Sequence, residues 1–284
     1  MTRKEKAFEK RKELEGKLDD LAKAIITDPI KLQEFAKNWR KGFHTYSFIN
    51  YLMIHLQKPG ASLCAGYNQW EKKHKRKVKK GEKALWVYAP MIVKNKKDYL
   101  VGQDKSGNDI IETREESELI GFRVVPVFDV SQTEGKEIDM GNNMSKFNGC
   151  KTNIQELFTK FDEYDCQYYN SQADGCTNGE YIKVAKRKNK AQEIASFFHE
   201  LAHVMLGHCE KNGTEVGKEL SRQRAELEAE ATAFLICECI GIEHKEASAH
   251  YIGHWKGNTD TLEKSTYRVL SVAEKILKRI AKEA

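Results

Sequence analysis

At 284 residues, 40% hydrophobic and 32% charged with only 4 prolines, the chain is long enough for two ordinary domains and is neither a disordered nor a fibrous sequence. Its 48 Lys and Arg against 42 Asp and Glu leave a net charge of +6, too modest for the whole surface to hold a polyanion, so an anionic partner requires a local concentration of charge. Seven cysteines without paired spacing suit a reducing compartment, and neither a hydrophobic leader nor an apolar run long enough to span a bilayer is present, so the expectation is a cytoplasmic protein with no membrane partner.

In chain order, residues 3–40 read as two helices, the second opened by "TDPIKLQEFAKNW", where Thr27 or Asp28 can cap and Pro29 suits a first turn. "SFINYLMIHLQ" makes another, stopped by Pro59 and Gly60. The period then changes. "KALWVYAPMIVK", "KDYLVGQDKSGNDIIET" and "GFRVVPVFDV" are rich in Val, Ile, Tyr and Trp, and "DKSGND" between two short apolar runs signals a hairpin. "SQTEGKEIDMGNNMSKFNGC" is polar, glycine-bearing and aperiodic, as a linker is. Beyond it come a helix at "NIQELFTKFDEY", a strand at "GEYIKVAK" and four helical segments. The expected organisation is α+β: an α+β nucleic-acid-binding domain at 1–130 that includes the N-terminal helices, a linker at 131–150, and a mainly helical domain at 151–284.

Eight basic residues fall between positions 72 and 83: Lys72, Lys73, Lys75, Arg76, Lys77, Lys79, Lys80 and Lys83. Such a run is ordinarily only a solvated face. Here it abuts Trp70 and is followed by "ALWVYAP", so cations that suit backbone phosphates alternate with aromatics that suit unstacked bases. Trp86 and Tyr88 read equally well as strand-core residues. No helix is patterned to read a duplex, and single-stranded nucleic acid is the expected partner of Trp70 and the eight basic residues.

Downstream, "HELAH" sets His199 and His203 four residues apart, roughly 40° apart on one helical face, with Glu200 between them. Two imidazoles reach one ion, and the carboxylate can take a proton from a water on that ion, which is the content of the H-E-x-x-H pattern. Ile194, Phe197, Phe198, Leu201, Ala202, Val204, Met205 and Leu206 surround the motif, so the histidines are buried and need partners, which a metal supplies. Zn2+ is the expected ion. Leu206 and Cys209 exclude a metzincin, and His208, five residues past His203, turns about 140° away if the helix continues. In "RAELEAEATAFLICECIGI", Glu226 and Glu230 share a face, Leu227 and Phe234 place Glu230 on the buried side, and Glu228 points about 160° away toward solvent. Glu230 is therefore the expected third ligand and Glu226 its support, with a fourth position open to water. Tyr251 in "SAHYIGHW" is the candidate for stabilising an oxyanion, against the plainer reading of a packing pair with Trp255.

The succession of "YSFINYLMIHLQKPGA", "YNQWEKKHKRKVKKGEKALWVYAP", "VFDVSQTEG", "HELAH", "AELEAEATAFL" and "YIGHW" resembles the ArdC-type antirestriction proteins. That resemblance covers the chain from about Tyr46 and implies an N-terminal domain that binds single-stranded DNA joined to a C-terminal zincin-like metallopeptidase domain. The second part is also similar to the ImmA/IrrE metallopeptidases, in which the glutamate of an E-x-E-A segment, here Glu230, is the third ligand. Two functions follow as expectations. In one, a zinc peptidase driven by Glu200 is carried to DNA and cuts an unknown DNA-associated protein. In the other, a non-catalytic protein coats single-stranded DNA and protects it on entry, with zinc in a structural role. Primase and relaxase domains of longer family members have no counterpart here, so DNA chemistry itself is not implied.

Overall fold

The computed structural model describes residues 3–40, 45–103, 109–138, 153–209, 222–242 and 259–281. The chain opens with α1 (Arg3–Ile26), α2 (Pro29–Asn38) and α3 (Phe48–Gln57). Next come β1 (Cys64–Ala65), α4 (Tyr67–Lys72), β2 (Arg76–Val78), the long strands β3 (Leu85–Gln103) and β4 (Asp109–Asp129), and β5 (Thr133–Gly135). They are followed by α5 (Ile154–Lys160), β6 (Asp165–Tyr169), β7 (Gly175–Thr177), β8 (Tyr181–Ala185), α6 (Lys190–Met205), α7 (Arg222–Ile240) and α8 (Thr259–Ala281). The fold is mixed α+β with a more helical C-terminal region. Among the described residues, no helix is long and apolar enough to cross a membrane.

One compact unit takes residues 64–136 and the first 12 residues; the other takes 13–63 and 137–284. In the first, β3 and β4 pair antiparallel along their length, β1 adds to β4, and β2 pairs with β5. Alternation along the β3–β4 ladder sorts its two faces. Leu85, Val87, Val127 and Asp129 are buried, while Trp86, Tyr88, Val124, Pro126 and Phe128 on the opposite face are half-buried. Helix α4 is pinned by Trp70, fully buried, whose indole N–H donates to the Phe128 carbonyl at 2.9 Å. After β4, the Asp129 carboxylate accepts from Ser131 N at 3.0 Å and Gln132 Oε1 accepts from Asp129 N at 2.9 Å, closing a tight turn into β5. The first residues of the polar segment expected as a linker are thus folded into this unit, because a capped turn and a three-residue strand leave no periodic signal.

In the second unit the N-terminal caps follow local chemistry. Asp28 accepts from Ile30 N at 3.0 Å and Lys31 N at 3.2 Å with Pro29 in the first turn, and Ser47 accepts from Asn50 N at 3.2 Å to open α3. Helix α7 is buried over most of its length, from Leu227 to Ile240, and serves as the core element against which α2, α6 and α8 pack. Two long-range bonds tie the N-terminal helices into this packing: Gln33 Nε2 donates to Glu238 Oε1 at 2.8 Å, and Phe48 N, unsatisfied at the start of α3, donates to Glu274 Oε2 at 3.0 Å. A three-stranded sheet of order β6-β8-β7 covers α6, with β6 parallel and β7 antiparallel to β8. Only β8 was legible as a strand. β6 and β7 have five and three residues and no buried-exposed alternation, so no period announces them.

Candidate metal centre and nucleic-acid interface

Helix α6, capped by Asn189, buries Ile194, Phe197, Phe198, Leu201 and Ala202 and turns His199, Glu200 and His203 toward a cleft of about 910 Å³. Edge strand β7 lines the same cleft. The loop before β7 is held by Arg187, which donates to the carbonyls of Ser171, Gln172 and Ala173 and to Asp174 Oδ1. Gly175 lies so close to Glu200 that a Cβ there would fall 2.7 Å from the carboxylate oxygen Oε1. Burial pushes the Glu200 carboxyl above its ordinary range, with His199 and His203 pulling the other way.

Three donor atoms converge at the mouth of α6. His199 Nε2 and His203 Nε2 are 3.1 Å apart, and Glu226 Oε2 lies 3.3 Å from the first and 3.5 Å from the second. Those separations suit three ligands of one small divalent ion with bonds of about 2.0–2.2 Å. The electrostatics agree. Burial works against charge on His199, yet its bonds to Glu226 and Glu230 push the imidazole up to about 10, so the carboxylates around it call for positive charge. Hydrogen bonds from the two histidines in turn hold the Glu226 carboxyl far below the usual range.

The geometry gives Glu226 the place facing both Nε2 atoms, and sets Glu230 behind, its Oε2 3.1 Å from His199 Nδ1. Both share a helical face, as their spacing requires, but the rotation of α7 against α6 decides which of them fronts the histidines. Glu228, read from the sequence as solvated, is fully buried. It accepts from Arg224 Nε at 2.9 Å and from Ser265, and lies 3.0 Å from His208 Nε2 and 3.6 Å from Arg268. Burial opposes its charge, but these donors outweigh it and keep the carboxyl below the ordinary range. His208 does not face away either. Helix α6 ends at Met205, Gly207 takes a φ of 76°, and the chain folds back so that His208 Nδ1 sits 3.0 Å from His203 Nδ1. Gly207 is the sequence signal that marks this turn. Tyr251 lies outside the described residues.

In the other unit the eight basic residues have different roles. Lys72, Lys73, Lys75, Lys77, Lys80 and Lys83 are exposed and make no ion pair with a described residue. Arg76 is spent on the fold, donating to Thr133 Oγ1 at 2.7 Å, to the Thr133 carbonyl at 2.8 Å and to the Gly135 carbonyl at 3.2 Å. Lys79 donates to the Ser131 carbonyl at 3.0 Å. Trp70 offers no face to a base, since it is fully buried. The accessible aromatics are ones the sequence did not single out. Phe122 is 52% exposed opposite Pro90, and Tyr67 is 56% exposed with its ring edge-on to Phe128 at 6.2 Å. With Trp86 and Tyr88 on the same face they make a strip that runs ~20 Å from Phe122 to Phe128.

Residues 14–128 match the family described as the N-terminal domain of anti-restriction factor ArdC. That match takes in less than half of the chain. An uncharacterized protein of Bacillus anthracis is 27% identical over 319 residues, covering 99% of this chain, and the chain spans 53% of that relative's length. Two crystal structures of the antirestriction ArdC protein from the R388 plasmid are similar at 17% identity. The metal-free form has a TM-score of 0.49, covering 93% of this chain and 97% of the other; the Mn(II)-bound form has 0.48, covering 94% and 98%. The expectation of Zn2+ is corrected at this point: the metal-loaded ArdC structure holds Mn(II), and two imidazoles with a carboxylate do not by themselves select zinc.

Proposed function

We propose that the protein is an antirestriction factor of the ArdC type that coats single-stranded DNA through residues 64–136 and shields it, with a divalent-cation centre at His199, His203 and Glu226 in its helical unit. The observation that carries this reading is the joining, in one unit, of six exposed lysines that have no ionic partner among the described residues to the strip Tyr67, Phe128, Trp86, Tyr88 and Phe122. Tyr67 opens the helix that ends in Lys72, and Lys83 stands two residues before β3, so phosphate and base contacts are offered along one path. Stacking on a ring is indifferent to base identity, and a ring on a strand face reaches only a base that is out of a duplex. Binding is therefore expected to be sequence-tolerant and to prefer single strands. Fluorescence anisotropy with single- and double-stranded oligonucleotides of one sequence tests it; equal affinity for both would overturn it.

A second reading is supported by the setting of Glu200: a carboxylate between the two ligand histidines, pressed on Gly175 at the edge of a cleft. In this reading the helical unit is a metallopeptidase-like domain acting on a DNA-associated protein. The cation would polarise the scissile carbonyl when bound. Glu200 would hold the proton in transit, and β7 would bound the site at Gly175. Glu200→Gln is then expected to retain Mn(II) and DNA binding while losing proteolysis of DNA-bound proteins. If shielding of DNA survives in that variant, coating alone accounts for it.

A further inference from the structure

We infer that the outer part of the β3–β4 ribbon is a self-association surface, on which a second copy of this chain lays the same face turned end for end. The consequence is cooperative coating of single-stranded DNA, and that consequence rests on the coating reading above. Between Ile92 and Gln103, and between Asp109 and Ile120, the two strands pair only with each other among the described residues. A two-stranded ribbon is marginal in water unless something covers it. Yet of the twelve large apolar side chains that stand exposed among the described residues, nine lie on these two strands, so the uncovered apolar surface is concentrated here.

The register gives that surface a pattern. On one face Ile92 stands opposite Leu119 and, eight residues along β3, Leu100 stands opposite Ile111, all four more than half exposed. Midway between these apolar pairs is Lys96 opposite Glu115, with Lys94 to one side of it on β3 and Asp98 to the other. The other face is closed on itself: Asn95 donates to Glu118 at 3.1 Å, Lys97 lies 2.6 Å from Glu116, and Arg114 sits 5.4 Å over the Tyr99 ring. The open face is therefore symmetric about Lys96 and Glu115. Turning a second ribbon end for end sets Ile92 against its Leu100, Leu119 against its Ile111 and Lys94 against its Asp98. Each contact then occurs twice, as an isologous two-fold interface requires. The centre gathers two Lys96 and two Glu115, which balance in charge. The overlap is about 27 Å long and two strands wide, smaller than the roughly 800 Å² per partner of a standard interface, so free copies pair weakly. A single strand of DNA that holds two copies side by side raises their effective concentration and completes the pairing. Tyr88 and Trp86 precede the overlap on β3, which leaves them open to bases.

The test has two arms. In the first, sedimentation velocity over a concentration series is expected to show reversible dimers of wild type, weakened at least about 10-fold in the double variant L100K/I111K, whose changes fall on exposed positions. A short bis-maleimide then reads the register against wild type, which supplies the background of the native cysteines. K96C copies are expected to join to themselves, because Lys96 lies on the two-fold axis, whereas K94C and D98C copies join to each other and not to themselves. Self-joining of K94C as readily as its joining to D98C would overturn the end-for-end arrangement. In the second arm, wild type is expected to bind cooperatively to a single-stranded oligonucleotide with room for two copies, and L100K/I111K without cooperativity, while both bind equally well to one with room for a single copy. Lower single-copy affinity in L100K/I111K would overturn the inference by making DNA the occupant of this face. So would a wild type that stays monomeric in free solution and shows no cooperativity on DNA. If wild type binds no single-stranded DNA at all, the coating reading fails, and sedimentation with the cross-links still decides the pairing.

Discussion

Around His203 polar groups meet one another within bonding distance: Glu228 meets Arg224, Ser265 and His208, His208 meets His203, and His199 meets Glu226 and Glu230. Along α4 and β2, by contrast, Lys72, Lys73, Lys75, Lys77 and Lys80 stand in solvent with no described ionic partner. The difference follows from solvation. A charge withdrawn from water is tolerated only if other groups replace its hydration, so the buried cluster has one arrangement. A charge left in water needs no partner, so the lysines stay free for a polyanion and their effect is set by number and salt more than by geometry.

That contrast can be broken from the buried side first. Glu226→Ala removes a donor that faces both imidazoles, and Mn(II) binding measured by calorimetry is expected to drop by more than about 100-fold; Glu230→Ala, which only loosens His199, is expected to cost roughly 10- to 100-fold. The opposite ranking would restore Glu230 as the ligand. Next in size, Glu228→Ala takes from the partly exposed Arg224 and Arg268 the buried carboxylate they share, and urea unfolding is expected to show a loss of about 3 kcal/mol. A neutral result would mean that Glu228 is solvated after all.

From the exposed side the effects are graded. If about five phosphates are neutralised, affinity for single-stranded DNA is expected to fall on the order of 100-fold between 50 and 200 mM salt, and replacing Lys72, Lys73, Lys75, Lys77, Lys80 and Lys83 by Gln is expected to flatten that dependence. Arg76→Gln serves as the contrast. Its guanidinium is bound to Thr133 and Gly135, so it is expected to lower Tm and leave the salt slope nearly unchanged. The smallest expected change is Phe122→Ala, about 1 kcal/mol of DNA affinity from one lost stacking surface with no loss of stability. Destabilisation without a change in affinity would assign Phe122 to the fold and not to DNA.

The sequence by itself determined whatever depends on neighbours a few residues apart. Asp28 with Pro29 and Ser47 mark their helix starts, the β-branched and aromatic runs mark β3 and β4, and His199, Glu200 and His203 share a face because any helix of that spacing makes them do so. Only the tertiary structure decided relations between segments. Whether Glu226 or Glu230 fronts the histidines depends on how α7 is rotated against α6, and Glu228 is buried because α8 brings Ser265 and Arg268 to it from some 40 residues away. Trp70 beside a basic run looked available to DNA, yet the strand end at Phe128 claims its indole. The physical reason is common to all three: period and capping are properties of a single element, whereas the side a residue finally shows is set by what packs against that element, and packing partners come from parts of the chain that no local pattern connects.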